Sequence, residues 1–252
     1  MRKLESAISV TYETFMDIVK YENEQISGAT VYHSNLGSPL FFHCTLQQLR
    51  LDHCDLNNAR FFAACTIEQC QFIHCDLRAV GIGDGEAVFT NCEFIGCDMR
   101  GMTLEHATFI DCTFNKCTFS DRILKASRIV NCCFVGKLSE ITFEGTGKQK
   151  LKADFANCRL NGVQFIGCDL TACIPPNYPD HLYVNDLSAR IANALMTTDA
   201  NIALSADERK QLVRSLHKLQ PNEQYIFNVT YMNKMYGATF TKAWVGSLGL
   251  AE

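Results

Sequence analysis

The chain has 252 residues, of which 47% are hydrophobic and 20% charged, and its formal net charge is −4. This composition excludes an intrinsically disordered chain, which has less apolar content and more net charge. No segment has the basic surplus that direct nucleic-acid binding needs, and no apolar run reaches the about 18 residues of a membrane-spanning helix.

Residues 1–25 are predicted to form an N-terminal cap helix. Residues 3–20 place Leu4, Ile8, Tyr12 and Phe15 at intervals of three or four, the spacing of one face of an amphipathic helix. We expect this helix to cover the first turn of the repeat structure that follows. The acidic residues of this segment are not typical of a cleaved leader, so we expect a soluble protein that is cytoplasmic where it is synthesised.

From residue 26 a large apolar residue recurs every five positions, apart from small slips, in 26 repeats. This period fits neither an α-helix nor a β-strand. It favours a coil with four short faces, whose turns stack at the ordinary inter-strand spacing of about 4.8 Å. Stacking would produce core columns containing Phe72, Phe94, Phe114 and Phe134, then Phe89 and Phe109, then Cys92, Cys112 and Cys132.

The cysteines follow the same period. Twelve of the 14 lie two residues before a large apolar centre. Because a thiol is small and commonly buried, this position indicates core packing. We interpret the cysteines as free thiols, since their spacing differs from the two-to-four-residue gaps of zinc sites.

Several five-residue motifs carry a family resemblance. CDLNN (54–58), CDLRA (75–79), CDMRG (97–101), CTFNK (112–116) and CDLTA (168–172) resemble pentapeptide repeats. The resemblance extends over residues 26–172 and implies a mainly β fold, a right-handed quadrilateral β-helix, which we assign to residues 26–174. Residues 135–152 interrupt the pattern, and we expect a loop there.

Residues 175–252 are predicted to be an α-helical segment. It serves as a C-terminal cap, forms a partner-binding region, or begins a longer domain. A first helix starts after Asn185 or Asp186, and a second starts at the capping box of residues 205–208. Residues 223–236 form a third segment that is predicted to be helical. The aromatic residues of this region are candidate partner-binding residues: Tyr225, Phe227, Tyr231, Tyr236 and Trp244.

Three histidines recur at every fourth repeat. His33, His53 and His74 each follow an apolar centre by two residues, which places them about 5 Å apart on one edge of consecutive turns. Such a set is a candidate site for a divalent cation. The alternative, which we favour, is a solvated ladder at a corner that accepts polar residues.

Catalytic motifs are absent from the sequence: it contains no GxSxG, P-loop, HExxH or strand-linked GxGxxG. We therefore predict no enzymatic activity and no cofactor. Acidic residues that precede the centres are interpreted as outward residues that hydrogen-bond the turns: Asp55, Asp76, Asp98, Asp154 and Asp169.

A rigid rod without an active site suits the binding of another macromolecule. We expect a non-enzymatic bacterial scaffold for protein–protein interaction that binds a protein partner. Formation of a homodimer is compatible with this hypothesis. An extension of this hypothesis is an effector secreted into a host cell without a cleaved signal peptide. The resemblance also implies an alternative, a DNA-mimicking protector of gyrase, although residues 26–172 carry a charge of only −2. A third alternative is the targeting module of an effector enzyme.

Overall fold

The computed structural model describes residues 4–15, 18–82, 85–104, 106–119, 122–125, 128–147, 150–197, 204–219 and 221–250. In this part of the chain a mainly β parallel solenoid of about seven turns is followed by four helices. The predicted β-solenoid with a C-terminal helical segment is thus confirmed.

Each turn of the solenoid has four short faces, and the strands of successive turns pair in parallel and in register. Strands are numbered here in chain order. The first face contains β1 (Ser9–Thr11), β4 (Thr30–Tyr32), β7 (Arg50–Asp52), β10 (Gln71–Ile73), β13 (Glu93–Ile95), β15 (Thr113–Asn115), the middle of β17 (Ile129–Ser139) and β19 (Lys152–Asp154).

The second face is held by single bridges instead of strands over most of its length. A column of bridges joins Asn35, Asp55, Asp76 and Asp98 on successive turns. Its last part is a strand pair, in which the end of β17 pairs with β20 (Cys158–Asn161).

The third and fourth faces complete each turn. The third face contains β2 (Lys20–Glu22), β5 (Leu40–Phe42), β8 (Arg60–Phe62) and β11 (Gly81–Ile82), followed by β16 (Arg122–Lys125), β18 (Ile141–Glu144) and β21 (Gln164–Ile166). The fourth contains β3 (Gln25–Ser27), β6 (Thr45–Gln47), β9 (Thr66–Glu68), β12 (Ala87–Thr90), β14 (Ala107–Ile110) and the start of β17.

The core is a shaft of stacked side chains. All 26 large apolar centres recognised in the sequence are buried. Along the first face, the ring centroids of Phe72, Phe94, Phe114 and Phe134 follow one another at 5.0, 5.1 and 5.0 Å. On the fourth face Phe89 and Phe109 stack at 5.0 Å. Burial of each Phe contributes about 1.5–3 kcal/mol, and ring contacts add to it.

The cysteines that share one sequence position occupy the narrow space beside these columns. All twelve are buried, whereas Cys133 and Cys173 are half-buried. Ten of these thiols lie within hydrogen-bond distance of carbonyl oxygens of the preceding turn, as from Cys97 to Phe72 at 3.1 Å and from Cys117 to Phe94 at 3.2 Å. A small, weakly polar side chain therefore suits this position.

The predicted N-terminal helix is wrong for the described residues of that segment. Strand β1 pairs with β4, and Val10 aligns with Val31. Two residues of the predicted apolar stretch, Tyr12 and Ile18, are 78% and 67% exposed. The apolar centres Val10 and Phe15 are already spaced by five, so the first turn belongs to the solenoid.

The predicted loop at residues 135–152 is also wrong over most of its length. Leu138 aligns with Leu160, and Phe143 aligns with Phe165, so both occupy centre positions in the shaft. Leu151 is fully buried as well. Phe134 and Leu138 lie four residues apart, and Phe143 and Leu151 lie eight apart, so the five-residue period is lost in the sequence although the turn is complete. Strand β17 runs without a break through the fourth, first and second faces. Residues 148 and 149 lie outside the described part.

The C-terminal module contains an antiparallel pair of strands and four helices: β22 (His181–Val184), α1 (Leu187–Thr197), α2 (Ala206–Leu219), β23 (Tyr225–Asn228), α3 (Val229–Tyr236) and α4 (Ala238–Ser247). The first two helices confirm the prediction. The capping box forms, because the Glu208 amide donates to Ser205 Oγ at 3.3 Å and the Ser205 amide donates to Glu208 Oε2 at 2.8 Å. Residues 223–236 are helical only from Val229, since Tyr225–Asn228 pair with β22.

Candidate functional site

The three predicted histidines lie together on one corner of the solenoid. Ring centroids are 5.0 Å apart between Tyr12 and His33, 4.8 Å between His33 and His53, and 4.9 Å between His53 and His74. Their residues have φ between 46° and 55°, the left-handed conformation that turns the corner. The ladder ends at Gly96, where a Cβ would lie 2.4 Å from His74 Nδ1.

This ladder does not have the geometry of a metal site. The lone pair of an imidazole nitrogen lies in the ring plane, and rings stacked face to face direct these lone pairs side by side instead of toward one point. His53 Nδ1 instead lies 2.7 Å from Asp52 Oδ1. Across the described residues, no group of three or more His, Cys, Asp or Glu could hold a metal ion.

The acidic residues before the centres stabilise turns, as predicted. In each, a carboxylate oxygen accepts a hydrogen bond at 2.8–3.1 Å from the backbone amide two residues later: Asp55, Asp76, Asp98, Asp154 and Asp169. Arg78 and Arg100 also donate to Asp76 and Asp98, and these hydrogen bonds lower the pKa of both carboxyl groups. Asp76 and Asp98 therefore stay ionised and do not suit acid–base catalysis.

Burial also suppresses the reactivity of the thiols at the last turns of the solenoid. It raises the pKa of Cys158, Cys168 and Cys173 to about 12. At neutral pH these groups are thiols, whereas the thiolate is the form that attacks electrophiles or binds metals.

Side chains of the C-terminal module close the last turn of the solenoid. The Leu160 amide donates to His181 Nε2 at 3.0 Å, the Gly167 amide to Asn222 Oδ1 at 3.0 Å, and the Leu170 amide to Gln224 Oε1 at 3.2 Å. These bonds satisfy strand-edge donors that the next turn would otherwise have bonded. In the structure, then, the module acts as a cap.

Asn228 joins helix α3 to that last turn. Its Oδ1 accepts the Tyr231 amide at 2.9 Å as an N-cap. Its Nδ2 donates at 3.0 Å to Leu160 O and at 3.0 Å to Asn161 Oδ1. The position of α3 over the solenoid is thereby fixed.

The five candidate partner-binding aromatics fall into two groups. Tyr225, Phe227 and Trp244 are buried, and Tyr225 contacts Phe165 edge to face at 5.7 Å, which extends the shaft into the module. These three residues lie in the core of the module, and their role in partner binding stays a prediction. Tyr231 is half-buried, and Tyr236 is 47% exposed.

Tyr231 and Tyr236 line a groove between α3 and the third face of the solenoid, which we call the junction groove. Its volume is about 450 Å³, and its solenoid wall is the aligned outward column Ile123, Thr142 and Gln164. The rest of its lining is Glu140, Gly162, Tyr231, Met235 and Tyr236. Ile123 and Met235 are each 55% exposed.

Gly162 sets the width of this groove. It has φ of +63°, and a Cβ there would lie 2.8 Å from the Tyr231 hydroxyl. A larger residue would push the phenol away from the coil. The groove was not visible in the sequence, because Ile123 and Met235 are more than a hundred positions apart.

Comparison with protein families agrees with this geometry. Residues 85–121 and 152–174 match the family model for pentapeptide repeats, in eight copies. The chain thus contains pentapeptide repeats. No curated protein matches it.

Solved pentapeptide-repeat structures are similar at low sequence identity. A trypsin-treated QnrB1, a plasmid-mediated fluoroquinolone resistance protein, is 14% identical, with 68% of this chain and 90% of that chain covered and a TM-score of 0.42. HetL, involved in heterocyst differentiation regulation in the cyanobacterium Nostoc sp. strain PCC 7120, is 11% identical, with 67% and 87% covered and a TM-score of 0.22.

The helices of this chain are short. Among those that the structure describes, none has the length and apolar character needed to cross a bilayer.

Proposed function

We propose that this protein is a non-enzymatic scaffold that binds another protein through the junction groove. The observation that carries the proposal is the convergence of three exposed apolar side chains, Ile123, Met235 and Tyr236, on one concave surface. Exposed apolar patches with polar rims are typical of interaction sites, and Tyr and Met are enriched at interface centres.

The rigidity of the groove supports the same function. One wall is a strand column that is hydrogen-bonded on both sides, and the other is a helix held by Asn228. A site that is already ordered loses little conformational entropy on binding, so more of the contact energy contributes to affinity.

The gyrase-protecting alternative requires a continuous negative surface. The column of aspartates on the second face is instead partly neutralised by two arginines. Arg78 pairs with Asp76 at 2.5 Å, and Arg100 pairs with Asp98 at 2.6 Å. This pairing cancels much of the charge that would resemble a phosphate backbone. A supercoiling assay with gyrase and a quinolone, with and without the protein, tests this alternative directly.

Delivery into a host cell, and a role as the targeting module of an effector enzyme, stay predictions from the family resemblance. A translocation reporter fused to the full chain tests the first of these.

The groove is tested by introducing a negative charge into its apolar surface. We expect Met235→Asp to abolish capture of the partner that the wild-type protein retains from lysate. Met196→Asp is the matched control, because Met196 is 76% exposed on α1 and does not line the groove. The captured protein is then purified, and its affinity for the three chains is measured by calorimetry.

Equal binding of that partner to all three chains, or binding lost in the Met196 control as well, contradicts the proposal. An Ile123→Asp variant acts from the opposite wall and must weaken binding too. Circular dichroism checks that each variant keeps the fold.

A further inference from the structure

A second cavity opens beside the junction groove, and we call it the junction cavity. It has a volume of about 470 Å³ and shares Gly162, Gln164, Tyr231 and Tyr236 with the groove. It lies between the last strands of the solenoid, the end of α2, strand β23 and helices α3 and α4. Aromatic and aliphatic side chains form much of its wall: Phe165, Phe227, Met232 and Trp244.

Trp244 contributes its aromatic body to the junction cavity. It is 92% buried, and its indole Nε1, which has no hydrogen-bond partner, is enclosed by protein atoms. Trp244 is therefore counted with the apolar wall and not with the polar groups that could contact a ligand.

A cation lies at the rim of the same cavity. Lys218, near the end of α2, lines the cavity, is exposed, and forms no ion pair with any described residue. None of the described lining residues is acidic. The electrostatics therefore favour an anionic ligand and disfavour a quaternary ammonium, which aromatic walls alone would suit.

We propose that the junction cavity binds a hydrophobic carboxylate, presented as the C-terminal residue of the partner protein. The apolar side chain would occupy the aromatic walls, while the carboxylate would pair with Lys218. A cavity of this size is in the range of small-ligand sites, and capture of a terminal carboxylate is a recurring mode of peptide recognition.

This inference deepens the proposed scaffold function, because the cavity and the groove share four residues and would bind adjoining parts of one partner. The groove would take upstream residues of the partner chain, and the cavity would take its end. Specificity would then come from the terminal carboxylate, which internal segments lack.

The test uses the full chain and a probe peptide, acetyl-Gly-Gly-Gly-Phe, with a free carboxylate. The matched probe is the same peptide with a C-terminal amide. We expect the acid to bind about tenfold or more tightly than the amide, because a hydrogen-bonded charge pair is lost with the amide. Binding is read by calorimetry and by the fluorescence of Trp244, the single tryptophan of the chain.

Two variants assign the preference to the cavity. Lys218→Met is expected to remove most of the preference for the acid, whereas Lys234→Met, on α3 and outside the cavity lining, is expected to retain it.

Equal affinity for acid and amide, no binding of either probe, or an unchanged preference in Lys218→Met would overturn the inference. If acetylphenylalanine alone bound as tightly as the peptide, the assignment to a protein terminus would be wrong. The peptide assay needs no partner, so it can succeed where groove-dependent capture fails, and the two proposals are thereby tested separately.

Discussion

Replacing His181 by Ala should loosen the cap of the solenoid. The side chain is 1% exposed, and its Nε2 accepts the Leu160 amide at 3.0 Å. Without it, a buried N–H at the last turn loses its acceptor, which costs about 1–3 kcal/mol, and a cavity adds to that cost. We expect the free energy of unfolding to fall by about 2–4 kcal/mol.

The same residue predicts a pH dependence of defined sign. Burial lowers the pKa of His181 below its ordinary value of 6.5. The hydrogen bond from the Leu160 amide also favours the neutral ring, because Nε2 must be unprotonated to accept it. Nδ1 then carries the proton and faces Asp180 Oδ1 at 3.0 Å. The unfolded chain binds a proton at higher pH than the folded one, so stability is full above about pH 6.5 and falls as pH decreases toward the folded pKa.

The slope of this fall cannot exceed about 1.4 kcal/mol per pH unit for one proton. Chemical denaturation between pH 7.5 and 5, with hydrogen exchange at residues 158–170 and 225–236, measures it. The wild-type cap should lose protection as the pH falls, and the His181→Ala difference should shrink in parallel. His106→Ala, an exposed histidine, is the control and should preserve the wild-type profile.

An unchanged unfolding free energy in His181→Ala would refute the capping argument. A wild-type–variant difference that stays constant from pH 7.5 to 5 would refute the titration argument, even if the variant were less stable.

Three further predictions concern the solenoid. Phe114→Ala should cost about 3–5 kcal/mol in denaturation, because Phe114 stacks on both sides within the shaft, and Phe62→Ala, a half-buried outward ring, should cost less. Asp76→Asn keeps a turn acceptor and should change the unfolding free energy by less than about 0.5 kcal/mol, whereas Asp76→Ala should cost about 1 kcal/mol; equal effects would assign the role to the arginine pair. Alkylation of the native protein, mapped by mass spectrometry, should modify the half-buried Cys133 before any buried cysteine.

The shaft could be predicted from the sequence because its period is a direct product of its geometry. Each face directs one large side chain into the shaft, which gives one large apolar residue in every five positions. All 26 centres recognised in this way are buried. The turn-stabilising role of Asp55 and Asp76 was accessible for the same reason, since it depends only on neighbours two positions away.

The first turn and the turn that contains Leu138 and Phe143 were harder to predict, because the five-residue period is irregular there. Val10 and Phe15 lie five apart, but Phe15 and Tyr21 lie six apart, so the period is interrupted. The intervals from Leu4 to Ile8, Tyr12 and Phe15 are four, four and three residues, which is the spacing of an amphipathic helix. At Leu138 and Phe143 the compressed spacing looked like an interruption, although pairing with the adjacent turn keeps both residues in the shaft.

The candidate site depends on contacts between distant segments. Helix α4 was not predicted, and the burial of Trp244 follows from its packing against Phe227, Tyr236 and Phe240. Tertiary contact of this kind leaves no periodic signal, so the sequence marked the aromatic residues but could not separate those in the core from those in the groove.

Stacking turns in register also makes the molecule a spacer of defined length. The first face contains eight strands, so seven spacings of about 4.8 Å place its first and last strands about 34 Å apart, and the hydrogen bonds between turns keep that separation from varying. A partner seated at the capped end would hold its attached domains at a constant distance from the opposite tip, where Tyr12 stands exposed. Adding or removing a whole turn would change that distance in steps, without altering either end.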